Sequence, residues 1–441
     1  MNPRLTRRTW VPDHCEAVVQ ATADGVAGAD HDTVRRRLDE LVAWNRDIHE
    51  RECINLNPAA NVMSPAAESL LATSLGTRPS LGHPGDKYEM GLEAVERIEV
   101  IAAELAAEVF DAPFAEVRIG SGALANLYAF MACCRPGDAI IVPPASIGGH
   151  VTHHTAGAAG LYGLEIHESP IDGPDYTVDV DALRILARRV RPRMITTGAS
   201  LNLSHHPVTA IRAIADEVGA TVLFDAAHLS GLIAGGAWPN PLHDGAHIMT
   251  MSTYKSLAGP PAGLLVTTEA DVAERVDAIA FPGLTANFDA ANTAALARTL
   301  VDWQHHGRAH ATAMVDAANE LAAHLMAAGL PVVTTRLGNP TRSHAFAVRA
   351  DATDGDGHAL AARLRQANLL TSGIGVPGDR PDRMGAIRLG TNEMVRWGMT
   401  IDDMATVGAA IVAAVGGDDL TGIAATVAEF RSHFDRIHFC S

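Results

Sequence analysis

The chain has 441 residues, 47% of them apolar and 19% charged, with a formal net charge of −17. That is apolar material for a large core and more than one domain, in the composition of an ordinary globular protein, not a disordered or fibrous one. The acidic balance argues against a nucleic-acid partner, whose phosphates it would repel.

In chain order, Asp32 to about Cys53 interleaves charges with Val34, Leu38, Leu41, Val42 and Trp44. This spacing predicts an amphipathic helix with Asp32 as its N-cap. Ile54–Gly91, rich in Asn, Pro, Ser and Gly, reads as loop with short helices, where binding residues often sit. Regular alternation follows: helix over Leu92–Phe110, strand over Glu116–Ile119, helix over Gly122–Cys134 and strand over Ala139–Val142. Next come a helix over Val178–Val190, a strand over Met194–Thr197, a helix over His206–Val218, and strands over Thr221–Asp225, His247–Ser252 and Gly263–Thr267. A long helical region, about Ala290–Ala328, leads into a mixed C-terminal part. The pattern predicts an α/β fold around a mostly parallel sheet. It divides into an N-terminal helical segment (1–55), a large domain (56–305) and a smaller C-terminal α/β domain (306–441).

The five cysteines, Cys15, Cys53, Cys133, Cys134 and Cys440, form no C-x-x-C pair. They read as reduced thiols, with no disulfide frame and no metal site. The start, MNPRLTRRTW, is basic but lacks a signal peptide's apolar run. No stretch is apolar for long enough to span a bilayer. The expectation is a cytoplasmic protein with no membrane partner.

Two short stretches carry the chemistry. Val222-Leu-Phe-Asp225-Ala-Ala-His228 is an apolar strand delivering an acid at its carboxyl end, and Thr250-Met-Ser-Thr-Tyr-Lys255 does the same for a lysine. In an open α/β sheet both would face one crevice. Pyridoxal 5′-phosphate asks for this pair: a lysine to hold its aldehyde, and a carboxylate to keep its ring nitrogen protonated. Either residue alone carries little, since most lysines are solvated and many strands end in Asp. A third element, Gly120-Ser121-Gly122-Ala123, opens an apolar helix and turns backbone N–H groups toward an anion such as the cofactor phosphate.

These motifs resemble the serine hydroxymethyltransferase family of fold-type I pyridoxal enzymes from about Leu56 to Arg396. They are Gly82-His-Pro-Gly85, Ser121-Gly-Ala-Leu-Ala-Asn126, Gly148-Gly-His150-Val-Thr-His153, Gly198-Ala-Ser200, Asp225-Ala-Ala-His228, Lys255-Ser-Leu-Ala-Gly-Pro260 and Ile387-Arg388-Leu-Gly-Thr391. The resemblance implies that Lys255 holds the cofactor and Asp225 pairs with its ring nitrogen. It places His150 against the ring, His228 near the phenolic oxygen or the substrate, and Ser200 beside that oxygen. Ser121, Gly122 and Ala123 would take the phosphate, and Arg388 the substrate carboxylate. It also implies a homodimer or dimer of dimers whose sites are lined by both subunits, with Tyr88 and Glu89 as substrate contacts.

The chain departs from the family on one side. Ala59-Ala60-Asn61 stands where Ser-Glu-Asn is usual, Leu81 replaces the acid–base glutamate, Ile374 replaces a folate-contacting asparagine, and Tyr254 precedes the lysine where histidine is common. The losses fall on the folate and proton-transfer side. The expectation is therefore a divergent member of threonine aldolase or transaldolase type. It would cleave a β-hydroxy-α-amino acid, threonine being the first guess, to an aldehyde and a glycine carbanion without folate. His150 is the first candidate to move the proton, ahead of Glu89, His83, His153 and His228. The competing readings are a tetrahydrofolate-dependent serine or α-methylserine hydroxymethyltransferase, and a non-catalytic scaffold of the same fold.

Overall fold

The computed structural model describes residues 4–379 and 383–441; residues 1–3 of the basic start and residues 380–382 lie outside the described residues. Helices α1 (Asp13–Asp24) and α2 (His31–Arg46) come first. The cap of α2 is Asp30, whose carboxylate accepts from the Thr33 N–H at 2.9 Å, and not Asp32 as expected. Asp30 has the extended backbone a cap needs, whereas Asp32 already lies within the first turn. No residue of α2 is buried, and Leu38, Leu41, Val42 and Trp44 stay exposed.

After β1 (Ile54–Asn55) and α3 (Val95–Phe110) comes β2 (Phe114–Glu116), earlier than the Glu116–Ile119 predicted. Glu116 bends back to accept from the backbone N–H and Nε of Arg118, both at 2.8 Å, and so ends the ladder there. Next are α4 (Gly122–Cys133), β3 (Ala139–Val142), β4 (Glu165–Glu168), α5 (Val180–Val190) and β5 (Met194–Thr197). They are followed by α6 (Val208–Val218), β6 (Thr221–Asp225), β7 (Ile248–Ser252) and β8 (Gly263–Thr267). Helix α6 begins two residues later than predicted because His206 precedes Pro207, which disfavours helical backbone before it. The polar edge strand β4, Glu-Ile-His-Glu, carried no sequence signal.

These strands form one seven-stranded sheet in the order β2-β8-β7-β6-β5-β3-β4. The run from β7 to β4 is parallel; β8 is antiparallel to β7, and β2 to β8. The sheet is thus mostly parallel, as the alternating pattern implied, with two antiparallel pairings at one edge. Its inner strands β5 to β8 are buried almost throughout, as expected for strands covered on both faces. The crevice at their carboxyl ends receives Ser200, Asp225 and Lys255.

Helix α7 (Ala290–Ala327) runs unbroken for 38 residues. Beyond it, β9 (Ala345–Arg349), β10 (Leu369–Leu370), β11 (Ser372–Ile374) and β12 (Ala386–Gly390) follow, then α8 (Asn392–Arg396) and α9 (Leu420–Arg431). A three-stranded antiparallel sheet, β9-β12-β11, carries Arg388 on its central strand, while β10 pairs with β1 in parallel. Among the described residues no helix is long and apolar enough to cross a membrane.

Candidate active site

Asp225 ends β6 and is 7% exposed. Its Oδ2 accepts from Asn126 Nδ2 and His153 Nε2, each at 2.9 Å, and its Oδ1 accepts from the Ala227 N–H at 3.0 Å. Burial pushes this carboxyl up, but His153, His150 and Asn126 outweigh it and hold the group well below the ordinary carboxylate range. Asp225 is therefore an anion at any physiological pH. The chain must pass close behind it: a Cβ on Gly198, whose φ is +90°, would lie 2.1 Å from the Asp225 carbonyl oxygen.

Lys255 follows β7 and is 6% exposed. Its Nζ lies 3.1 Å from His228 Nε2, and burial together with Arg388, opposed by Asp225, lowers its amine to about 8. Its backbone is clamped. Asn61 Nδ2 donates to the Lys255 carbonyl at 3.0 Å, and Trp303 Nε1 donates to that of Leu257 at 2.7 Å.

His228 is buried, and its neighbours settle its tautomer. Nε2 faces Lys255 Nζ and, at 3.4 Å, Arg388 Nη1, both of which donate; so Nε2 carries the lone pair and Nδ1 the proton. Burial, Lys255 and Arg388 push the ring well below its usual range and keep it neutral. His150 has the opposite tautomer. The Thr152 N–H donates to Nδ1 at 3.3 Å and the Thr152 hydroxyl lies 2.9 Å from it, so Nε2 bears the proton. Burial, with Lys255 and His153 nearby, lowers His150 to about 4.

Arg388 donates from Nε to Ser372 Oγ at 2.9 Å and from Nη1 to the Ser200 carbonyl at 2.8 Å. Its Nη2 end carries the N–H groups of a fork that suits a bidentate acceptor. On the opposite wall, Ser121 caps α4 by accepting from the Leu124 N–H at 3.2 Å, and the next amides lie in the helix's first turn. A Cβ on Gly122 would sit 2.2 Å from Ser252 Oγ, so only glycine allows this turn so near β7. Ser121, Gly122, Ala123, His150, Ser200, Asp225, His228 and Lys255 line one cavity of about 120 Å³. An anion cradle, an ionised acid and a buried amine around one space are the donor set that pyridoxal 5′-phosphate requires, and the residues fit it.

Tyr88 and Glu89 do not join this cavity within the chain. Tyr88 is 81% exposed, and Glu89 accepts from the Leu81 N–H at 3.4 Å. His83 pairs with Asp277 at 2.9 Å on the surface. Sequence reasoning gave Asn126 no role and treated His153 only as a proton carrier, whereas both grip Asp225. The signal available for Asn126 was its place one turn inside the helix that Ser121 opens. Ser372, which holds Arg388, carried none.

The family model described as Serine hydroxymethyltransferase matches residues 36–411. An "Alpha-methylserine aldolase" of Variovorax paradoxus is 57% identical over 440 residues, covering 99% of this chain and 98% of that protein. Another, from Ralstonia sp, is 52% identical over 439 residues and covers 99% of both. A "Serine hydroxymethyltransferase" of Pyrobaculum islandicum is 38% identical over 411 residues, covering 92% of this chain and 94% of its own.

Proposed function

Because the chain belongs to the serine hydroxymethyltransferase family and is an enzyme of that type, we propose that it is a folate-independent aldolase cleaving α-methylserine to alanine and formaldehyde. The proposal includes pyridoxal 5′-phosphate on Lys255, the cofactor of this fold-type I family. One observation carries it: Lys255 and Asp225 line one cavity that Arg388 adjoins through His228, in a chain 57% identical to a protein named for that reaction.

The cofactor, when bound, supplies the electron sink that takes the pair released as Cα–Cβ breaks. Asp225 keeps its ring nitrogen protonated, and the first-turn amides at Gly122 and Ala123 take the phosphate. Arg388 grips the substrate carboxylate and fixes which bond at Cα is aligned with the ring. Because α-methylserine has no hydrogen on Cα, the useful bond to break is that to the hydroxymethyl carbon. His228 Nε2 accepts the β-hydroxyl proton, formaldehyde departs, and the proton passes 3.1 Å to Lys255 Nζ, which returns it to Cα to complete alanine. The proton leaves one carbon's hydroxyl and arrives on the other carbon, so the sum balances without a carrier. His150, proton-bearing at Nε2, donates to a substrate oxygen instead of accepting from it.

Folate independence is supported by the apolar side chains that stand in for polar ones. Leu81 has no proton to move, and Ile374 is 6% exposed on β11. A Cβ on the adjoining Gly375 would lie 2.8 Å from the Ala145 carbonyl, leaving little room between these segments. A homodimer is part of the same reading, because Tyr88 and Met90 are more than four-fifths exposed and the apolar stripe of α2 is uncovered.

The test is incubation with α-methylserine, L-serine and L-threonine, each with and without tetrahydrofolate. Formaldehyde from α-methylserine at equal rates in both arms is expected. Strict folate dependence overturns the reading, and acetaldehyde from threonine as the faster product moves the substrate to threonine.

A further inference from the structure

Arg388 is joined to a buried acid by four hydrogen bonds in series. Arg388 Nε donates to Ser372 Oγ at 2.9 Å, and Ser372 Oγ donates to Asn57 Oδ1 at 3.3 Å. The Asn57 backbone N–H donates to Asn55 Oδ1 at 3.0 Å, and Asn55 Nδ2 donates to Glu393 Oε2 at 2.6 Å. The direction is not a matter of choice. Backbone N–H groups can only donate, and those of Asn57 and Ala59 fix the amide orientations of Asn55 and Asn57. Every bond therefore points from the guanidinium toward the carboxylate; at Asn57 the series passes from the side-chain Oδ1 to the backbone N–H, so what it carries there is position, each bond fixing the placement of the next residue.

Glu393 lies on α8, 5% exposed, and takes no part in the chemistry described above. An uncompensated buried carboxylate is costly. The groups facing it are Asn55 on β1, Trp397 just beyond α8, Arg431 on α9 and Glu50 in the turn after α2. The Arg431 guanidinium lies over the Trp397 ring, 4.2 Å from its centre.

We propose that Glu393 is a positioning residue for substrate binding: as the anionic end of this series it orients Ser372 and so holds the Arg388 fork for the substrate carboxylate. The inference rests on the reading of Arg388 as the carboxylate-binding group. Its reach is confined to the carboxylate, so a ligand without one is indifferent to Glu393.

The experiment compares alanine with alaninamide, which lacks the carboxylate, as ligands of the cofactor-loaded full chain, read by equilibrium absorbance titration at pH 8. In Glu393→Gln the dissociation constant for alanine and the KM for α-methylserine rise about 3- to 30-fold, while that for alaninamide and kcat change less than about threefold. Burial, opposed by Asn55 and Arg431, raises the Glu393 carboxyl to about 7. Preference for alanine over alaninamide in the unsubstituted enzyme, divided by that of the Gln variant at the same pH to remove the ligands' own ionisation, should accordingly grow as pH rises through 7. Ser372→Ala cuts the series next to Arg388. It should show the same selective loss, and adding Glu393→Gln to it should cost nothing more. Equal weakening of both ligands, or none, overturns the proposal, and Asn55→Ala, which removes the bond to Glu393 itself, decides in the same way if Glu393→Gln does not fold. Arg388→Lys separates the two levels. If it leaves the alanine preference intact, the reading of Arg388 fails; if it abolishes the preference while Glu393→Gln and Ser372→Ala keep it, only the present inference fails.

Discussion

The depressed amine of Lys255 should be visible in how fast the cofactor-free protein takes up pyridoxal 5′-phosphate. Only a neutral amine attacks an aldehyde. With its amine at about 8, Lys255 is about 10% neutral at pH 7, against roughly 0.03% for an ordinary lysine at 10.5. That is about 300-fold more nucleophile, worth about 3 kcal/mol. Burial supplies the largest part, Arg388 adds to it, and Asp225 opposes it. The second-order uptake rate, divided by that of a free lysine analogue at the same pH to remove the aldehyde's own ionisation, should be greatest near neutrality and fall as the analogue catches up above pH 8. Asp225→Asn removes the opposing anion and should shift the inflection of the uptake curve below 8. Arg388→Gln should shift it above. An uptake rate that climbs tenfold per pH unit as far as pH 10 would refute the reasoning, because it would mean that burial leaves Lys255 an ordinary amine.

Three further outcomes follow from the same geometry. His153→Leu removes a buried bond to an ionised acid, worth about 1.5–3 kcal/mol; formaldehyde release should drop roughly 10- to 100-fold, and His153→Gln, which can still donate, should recover part of it. Glu393 should destabilise the protein in alkali. Its folded carboxyl, at about 7, lies above the ordinary 4.5, so its contribution is fully present below pH 4.5 and is lost as pH rises through 7. Urea midpoints should accordingly favour Glu393→Gln over the unsubstituted protein by up to about 3 kcal/mol at pH 8 and by little at pH 5; the opposite trend would contradict the raised carboxyl. Gly198→Ala places a methyl 2.1 Å from the Asp225 carbonyl at a φ of +90°. It should cost about 2–4 kcal/mol in urea unfolding and weaken cofactor retention; an unchanged midpoint would mean that β5 and β6 are not packed this closely.

The parts of the site legible in sequence were those that one element delivers by itself. Asp225 ends one short apolar strand and Lys255 closely follows another, and strand length and direction alone place both at the same edge of a parallel sheet. Arg388 lies on a strand whose flanking motif resembles a known one. What stayed hidden was set by side chains that meet across long intervals. Asn55 and Glu393 are 338 positions apart, and nothing local to either marks the bond. His153 sits three residues from Thr152's partner His150 in one motif, yet reaches a different target, because the intervening turn aims the two rings separately. Element ends failed for local reasons of the same kind. Asp30 and Asp32 are equivalent as cap letters, and Glu116 ends β2 by bending onto Arg118, which no hydrophobic period records.

The distribution of charge explains how such a site can work without the family's glutamate. Two buried cations, Lys255 and Arg388, flank His228, and their field together with burial keeps its ring neutral with Nε2 bare. In that state it is a weak base. On the proposed function substrate binding changes the balance, since the incoming carboxylate would neutralise Arg388 and the substrate's arrival would take the charge off Lys255 Nζ. The repulsion that Lys255 and Arg388 exert on a protonated His228 then falls away while burial, the largest cause, stays, and like charges 3–4 Å apart in a low-dielectric cavity are worth kilocalories. His228 thus gains proton affinity at the moment a hydroxyl proton is presented to it. A leucine at position 81 is tolerable on this account because base strength is created by binding, which on the proposal above the series from Glu393 to Arg388 helps to hold.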